Sequence, residues 1–220
     1  MRKKVIFRGV ALPYLLLLPQ MIITLVFFFW PAGMAVWQSA QREDAFGLST
    51  EFVAFENFVD LFHDPIYLNA AWNTAIFSSA VAALALGSAL FLAVQADKHI
   101  RAAGLYKTLL IWPYAVAPAL AAVLWLFIFP PSIGLVGRAL GSIGVNWDYR
   151  VNGGQAMTMV IIAAAWKQVS YNFIFFLAGL QSIPQSVLEA AAIDGARPIR
   201  RFWTVIFPLL SPTTFFLLVV

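Results

Sequence analysis

The sequence predicts an all-α protein, a polytopic bundle of transmembrane helices with four complete spans and a truncated fifth. Three observations carry this reading. Of 220 residues, 62% are hydrophobic and only 11% charged, where a soluble domain carries about 25% charged residues. Apolar runs long enough to cross a hydrocarbon core of roughly 30 Å recur along the chain. Lysine and arginine crowd into alternate segments between those runs. The absence of cysteine excludes disulfide scaffolds, thiolate metal sites and cysteine nucleophiles. No basic stripe accompanies an exposed aromatic surface, so nucleic acid is not an expected partner; membrane lipid is.

The first span covers about 12–37. It is longer than the roughly 7–15 apolar residues of a secretory signal and lacks a small-x-small cleavage site, so it reads as a retained membrane helix. Further spans follow at about 70–95, 104–129 and 156–180. A fifth begins near Pro208 and reaches Val220, the last residue. Its helix would extend about 20 Å, short of the roughly 30 Å core. The expectation is therefore one transmembrane domain, 1–220, that is C-terminally incomplete; alone it should neither transport nor assemble well. Arg2, Lys3, Lys4, Arg8, Lys98, Arg101, Lys107, Arg197, Arg200 and Arg201 fall on one side of the membrane, against Arg42, Arg138 and Arg150 on the other. By the positive-inside rule the N-terminus is cytoplasmic, as is the segment around Glu189, and loops 38–69 and 130–155 lie outside.

In the first outer loop, Glu56, Asp60 and Asp64 recur every four residues, with Phe55, Phe58, Leu61 and Phe62 on the other face. That pattern predicts an amphipathic helix at the membrane surface, as a cap on the bundle, a contact for an external partner, or both. His63 stands alone, and no metal site is expected there.

None of the four complete spans contains Asp or Glu, which argues against an ion-coupled carrier, since such carriers keep intramembrane carboxylates or histidines. Lys167 is the one charge near a span centre. At helical spacing it shares a face with Ser170, Tyr171 and Ile174, while Gln168 and Asn172 form a second pair. This polar group either lines a substrate pathway or bonds helices together. Pro113 and Pro118 interrupt the third span, a break tolerated where protein or a water cavity satisfies the freed backbone. It serves either a pathway or packing.

Between the fourth and fifth spans, 182–212 reads as a polar elbow. Pro184 suits the first turn of a helix, Ser186 and Glu189 have capping-box spacing, and the two do not fit one start. Ala190, Ala191 and Ala192 favour helix, Gly195 suits its left-handed end, and Pro198 can open a second helix ending at Phe207.

This segment resembles the EAA loop of bacterial ABC-importer permeases: EAA, three residues, G, nine residues, I-x-L-P. Glu189-Ala190-Ala191, Gly195 and Pro208 match at that spacing, with Val205 and Phe207 replacing the Ile and Leu. Glu56-Asn57-Phe58, Asn73-Thr74 and Leu177-Ala178-Gly179-Leu180-Gln181-Ser182-Ile183-Pro184 are similar to carbohydrate-type permeases of the maltose-permease-like class. Phe29-Trp30-Pro31-Ala32-Gly33, Pro113-Tyr114-Ala115-Val116-Ala117-Pro118 and Trp166-Lys167-Gln168-Val169-Ser170-Tyr171-Asn172-Phe173 resemble, more narrowly, permease subunits of sn-glycerol-3-phosphate importers.

The resemblance implies a six-span permease subunit that moves sn-glycerol 3-phosphate or a glycerophosphodiester by alternating access. It implies Glu189, Ala190, Ala191, Asp194, Gly195 and Pro208 as the coupling loop that docks on a cytoplasmic ATPase dimer. A second permease subunit and a periplasmic substrate-binding protein are the other implied partners, in the bacterial inner membrane. ATP and Mg would be bound by the ATPase, because this chain has no Gly-rich P-loop and needs no cofactor of its own. Lys167, Ser170, Tyr171, Asn172, Pro113 and Pro118 are the candidate pathway residues. Permeases of this class carry a basic residue after that tryptophan whatever sugar they move, so Lys167 does not report the substrate. A permease for a neutral sugar or oligosaccharide is the alternative within the class, and an ion-coupled carrier or channel the alternative outside it.

Overall fold

A computed structural model describes residues 11–44, 46–97 and 103–220. Arg2, Lys3, Lys4, Arg8, Lys98 and Arg101, six of the basic residues that set the expected orientation, lie outside the described residues. Among the described residues, three helices are long and apolar enough to cross a membrane, and two bent pairs reach that length only when each pair is taken together. The chain divides into two compact units, Met1–Trp72 and Asn73–Val220.

The first unit opens with α1 (Ala11–Ser39). None of its residues is buried, which leaves its apolar side chains suited to a nonpolar surrounding. One turn, Leu25–Phe29, is a π-turn closed by Trp30 N–H on the Leu25 carbonyl, and Pro31 follows. A proline inside a helix lacks a donor and crowds the carbonyl four residues back; a widened turn just before it relieves both problems.

An antiparallel hairpin follows, β1 (Gln41–Glu43) and β2 (Thr50–Phe52), pairing Arg42 with Glu51. The expectation of helices alone missed it. Gly47, at φ 68°, makes the turn, and Asp44 closes it by accepting from Leu48 N (2.7 Å), Phe46 N (3.2 Å) and Ser49 Oγ (3.2 Å). Those bonds, the one from Leu48 foremost, hold the Asp44 carboxyl below the usual carboxylate range. The expected amphipathic helix is α2 (Glu56–His63). Its acidic face meets Arg42, at 2.8 Å from Asp60 and 3.7 Å from Glu56. Exposed pairs of this kind contribute about 0–1 kcal/mol. Asn57 Nδ2 fixes α2 more firmly, donating to the Ser39 and Gln41 carbonyls at 3.0 and 2.9 Å. His63 sits 2.7 Å from the Val59 carbonyl of its own helix.

Helix α3 (Pro65–Asp97) begins in the first unit and ends in the second. The second unit continues with α4 (Ala103–Ala115), α5 (Pro118–Ile128), α6 (Leu135–Ser142) and α7 (Gly153–Ser182). Helices α8 (Gln185–Ile193), α9 (Pro198–Leu209) and α10 (Ser211–Val219) complete it. Helix α7 is the hub, packing against α4, α5 and α10. Asn152 caps its start, accepting from Gly154 N and Gln155 N.

The core combines an alanine stripe on α3 (Ala89, Ala93, Ala96) with Phe173, Phe176 and Leu180 of α7 and Leu210. Lipid is as apolar as these side chains, so burial there gains little from water exclusion. Close packing of bulky rings over small residues supplies the attraction instead. Gly179 shows the fit: a Cβ there would lie 2.9 Å from Leu210 Cδ2.

The interruption expected in the third span is a sharp one: α4 and α5 meet at 100°. One expectation needs correction. The helix that opens at Pro198 does not stop at Phe207 but runs through Pro208 to Leu209. A second π-turn, Phe202–Ile206, closes with Phe207 N–H on the Phe202 carbonyl and accommodates Pro208 as the first accommodates Pro31.

Candidate functional site

The elbow is built from residue types that end and restart helices. Pro184 stands in extended conformation (ψ 131°) just before α8, so the helix starts at Gln185, and Ser186 lies inside it rather than capping it. At the other end, Ala196 N bonds the Ala191 carbonyl and Gly195 N the Ala192 carbonyl, each at 3.0 Å. This pair of bonds is the Schellman closure, and it requires the left-handed backbone that Gly195 adopts at φ 78°. The spacing from Glu189 to Gly195 thus spans the last turn or so of α8 plus its terminator. Asp194 is the C-cap. Arg197, extended before Pro198, then turns the chain into α9.

Glu189, Ala190, Asp194, Gly195 and Pro208 are exposed and Ala191 is half-buried. Ile193 and Ile199 are 86% and 76% exposed beside Arg197 and Arg200, so the elbow presents an apolar tip ringed by charge. Behind it lies a polar cavity of about 480 Å³ lined by Asp97, Gln181, Gln185, Glu189 and Arg201 among others. The Arg201 Nε is buried there without a hydrogen-bond partner.

The second constellation lies at the break. Pro118 opens α5 and forces Ala117 into extended backbone (φ −58°, ψ 137°). In an unbroken helix the Val116 carbonyl would accept from the residue four positions on. Here it accepts from Lys167 Nζ, 51 residues away, at 3.2 Å. One turn along α7, the Tyr171 ring stacks on Tyr114 at 5.9 Å. Tyr114, Lys167 and Tyr171 line a cavity of about 760 Å³ together with Pro118, Trp125, Ala164 and Gln168. Its wall is apolar apart from a few convergent groups, the usual form of a small-molecule site.

The structure brings Lys167, Tyr171 and Pro118 together there, and it separates the other expected pathway residues. Pro113 is buried inside α4 and does not line the cavity. Ser170 and Asn172 are 1% exposed and face packed neighbours, with Ser170 Oγ and Asn172 Oδ1 unpaired. The cavity face of α7 runs Val160, Ala163, Ala164, Lys167, Gln168, Tyr171. The polar stripe read from the sequence was displaced by about one position around the helix. Gln168, read from the sequence only as the partner of Asn172, is on the wall, and Tyr114 is the polar wall residue left out. The Val116 carbonyl has no side-chain signal by which a sequence could announce it.

The C-terminal end of α5 is held sterically. Phe129 is 3% exposed, stacked between Trp125 and Trp147, and Trp147 Nε1 donates to its carbonyl at 3.0 Å. A Cβ at Gly137 would lie 2.2 Å from the Pro130 carbonyl oxygen, and one at Gly134 would lie 2.4 Å from that of Ile128.

Residues 104–220 match the family model for the binding-protein-dependent transport system inner membrane component. The sn-glycerol-3-phosphate transport system permease protein UgpA of Brucella abortus is 58% identical across 99% of this chain and 74% of its own length. The protein of the same name from Yersinia enterocolitica is 59% identical across 95% of this chain and 71% of its own. Among solved structures, a bacterial ABC transporter that imports the acidic polysaccharide alginate superposes with TM-score 0.75 at 26% identity, covering 95% of this chain and 71% of that one. An alginate ABC transporter in complex with a pentasaccharide-bound periplasmic protein gives TM-score 0.72 at 24% identity, over 93% of this chain and 68% of that one, a likeness of fold.

Proposed function

Because this chain belongs to the family of binding-protein-dependent transport system inner membrane components, and is a multi-pass permease subunit rather than an enzyme, we propose that it imports sn-glycerol 3-phosphate or a glycerophosphodiester. The observation that carries the substrate is the 58% identity over nearly the whole chain to permeases named for sn-glycerol 3-phosphate. In this reading the α4–α5 cavity lies on the substrate pathway and exchanges access between the two sides. The N-terminus and the elbow face the cytoplasm, where Glu189, Ala190, Ala191, Asp194, Gly195 and Pro208 couple to an ATPase dimer that binds ATP and Mg. A second permease completes the pore, and a periplasmic protein delivers cargo to the outer loops. The exposed Ile193 and Ile199, ringed by arginine, support docking outside the lipid. An equilibrium between two facings responds only to differential contacts, and ATP-driven closure transmitted through a rigid elbow supplies them.

The test is uptake of radiolabelled sn-glycerol 3-phosphate by the transporter reconstituted in proteoliposomes with its ATPase, second permease and binding protein. ATP-dependent uptake insensitive to collapse of the proton gradient is expected. Uptake that persists without the ATPase and disappears with the gradient would refute the mechanism. ATP-driven uptake of a neutral sugar alone would refute the substrate.

A further inference from the structure

We propose that Lys167 is a positioning residue whose ammonium latches the α4–α5 break through the Val116 carbonyl, rather than a group that binds the cargo's charge. The inference rests on the alternating-access reading above but not on the identity of the substrate.

The break creates the need for such a latch. Pro118 offers no N–H, Ala117 is extended, and half-buried Val116 lies just outside the helical ladder of α5. A carbonyl freed by such a break must be satisfied by protein or by water. Lys167 faces the matching problem, a half-buried cation on the central helix. Among the described residues no carboxylate lines this cavity, and no ion pair reaches Lys167. Each group is the other's answer, at 3.2 Å. Charge-assisted bonds of this type are stronger than neutral ones.

Position gives the latch its use. Lys167 and Tyr171 lie one turn apart on α7 and hold the end of α4 at two points, by the hydrogen bond and by the ring contact with Tyr114. The C-terminal end of α5 is fixed by glycine sterics and the Trp147 bond. Motion of α5 is therefore directed to Val116–Ala117. A break closed by one long flexible side chain has two discrete arrangements, bonded and released, as a switching element requires. The same account gives a reason for a basic residue here that is independent of the cargo.

The experiment uses the assembled transporter with Lys167→Met, Lys167→Gln and Lys167→Arg. Spin labels go at Leu109→Cys on α4 and Leu124→Cys on α5, both exposed, in a chain with no cysteine of its own. Lys167→Met is expected to lower maximal uptake by about tenfold or more with KM within about twofold, and to broaden the α4–α5 distance distribution. Lys167→Arg, which keeps charged donors, should recover most of both. If Lys167→Met does not assemble, Lys167→Gln, shorter and neutral, should give the same pair of changes. A KM raised about tenfold with maximal rate and distances unchanged would overturn the latch in favour of direct cargo contact. Unchanged rate, KM and distances would overturn it as well. Failure of the wild type to take up sn-glycerol 3-phosphate would count against the proposed substrate only, because the label distances read the latch without cargo.

Discussion

The elbow at Gly195 and the break at Val116 are both places where proline and glycine interrupt a helix pair, yet their loose backbone groups are satisfied in different ways. In the elbow, the carbonyls of Ala191 and Ala192 are closed within five residues by the amides of Ala196 and Gly195. At the break, the Val116 carbonyl waits for a side chain 51 residues on. Local closure makes a rigid body that can be pushed as a unit. Remote closure makes a joint whose state depends on another helix. In the proposed mechanism the elbow is the stiff lever where force enters and the break the hinge where the pathway opens.

The largest expected effect tests whether the hinge is confined to one end of α5. Gly137→Ala would press a Cβ against the Pro130 carbonyl at 2.2 Å. That should destabilise the fold by about 3 kcal/mol or more, since backbone cannot yield as a side chain can. Gly141→Ala, on the same helix with open space around it, should cost less than about 0.5 kcal/mol. Thermal unfolding of the purified transporter in detergent measures both. Equal effects would mean that the C-terminal end of α5 is as yielding as the break.

Next comes the lever. Gly195→Val forces a β-branched residue into φ 78°, a penalty of roughly 1–2 kcal/mol, while Gly195→Asn should be milder because asparagine tolerates that region. The expected phenotype is ATPase activity no longer stimulated by loaded binding protein, with membrane insertion intact. Retained stimulation in Gly195→Val would show that the elbow need not be stiff.

The same distinction explains what could be read in the sequence. The elbow was legible because local closure is written in residue types, Gly195 to end one helix and Pro198 to open the next. Amphipathic α2 was legible from its acids at every fourth position. The long spans were found, but α3 starts at Pro65 and α7 at Gly153, because helices continue past the apolar run to their own caps. The 100° bend was foreshadowed by two prolines, but not its partner, since a backbone carbonyl looks alike at every residue. Ser170 and Asn172 were drawn into the pathway by their polarity, whereas packing set the face of α7. The hairpin escaped because Gln41-Arg42-Glu43 shows no alternation, although Asp44 and Gly47 carried its turn.

A smaller effect asks whether Pro118 causes the bend or merely suits it. Pro118→Ala restores an N–H and lets Ala117 enter helical backbone, a change of about 0.4–1 kcal/mol. The labels at Leu109→Cys and Leu124→Cys should then report a longer mean distance, as α4 and α5 move toward alignment. An unchanged distance would assign the bend to Lys167 and the packing of α7 instead.

The smallest effect concerns a third closure, local like the elbow's but made by a titratable side chain. The Asp44 carboxylate accepts from Leu48 N, Phe46 N and Ser49 Oγ, and its pKa is lowered as a result. A group whose folded pKa is depressed contributes stability that is fully present above the ordinary value, about 3.9 for aspartate. That contribution is lost as pH falls through the lower folded value. Amide exchange at Phe46 and Leu48, corrected for intrinsic rates, should therefore show protection that is constant above about pH 5 and declines on acidification below about pH 4. In Asp44→Asn the amide oxygen can still accept but does not titrate, so protection should be weaker at neutral pH and flat across the same range. If wild-type protection is equally flat, the turn is held by its backbone bonds and Gly47 alone, and the hairpin joins the elbow as a closure that no side chain controls.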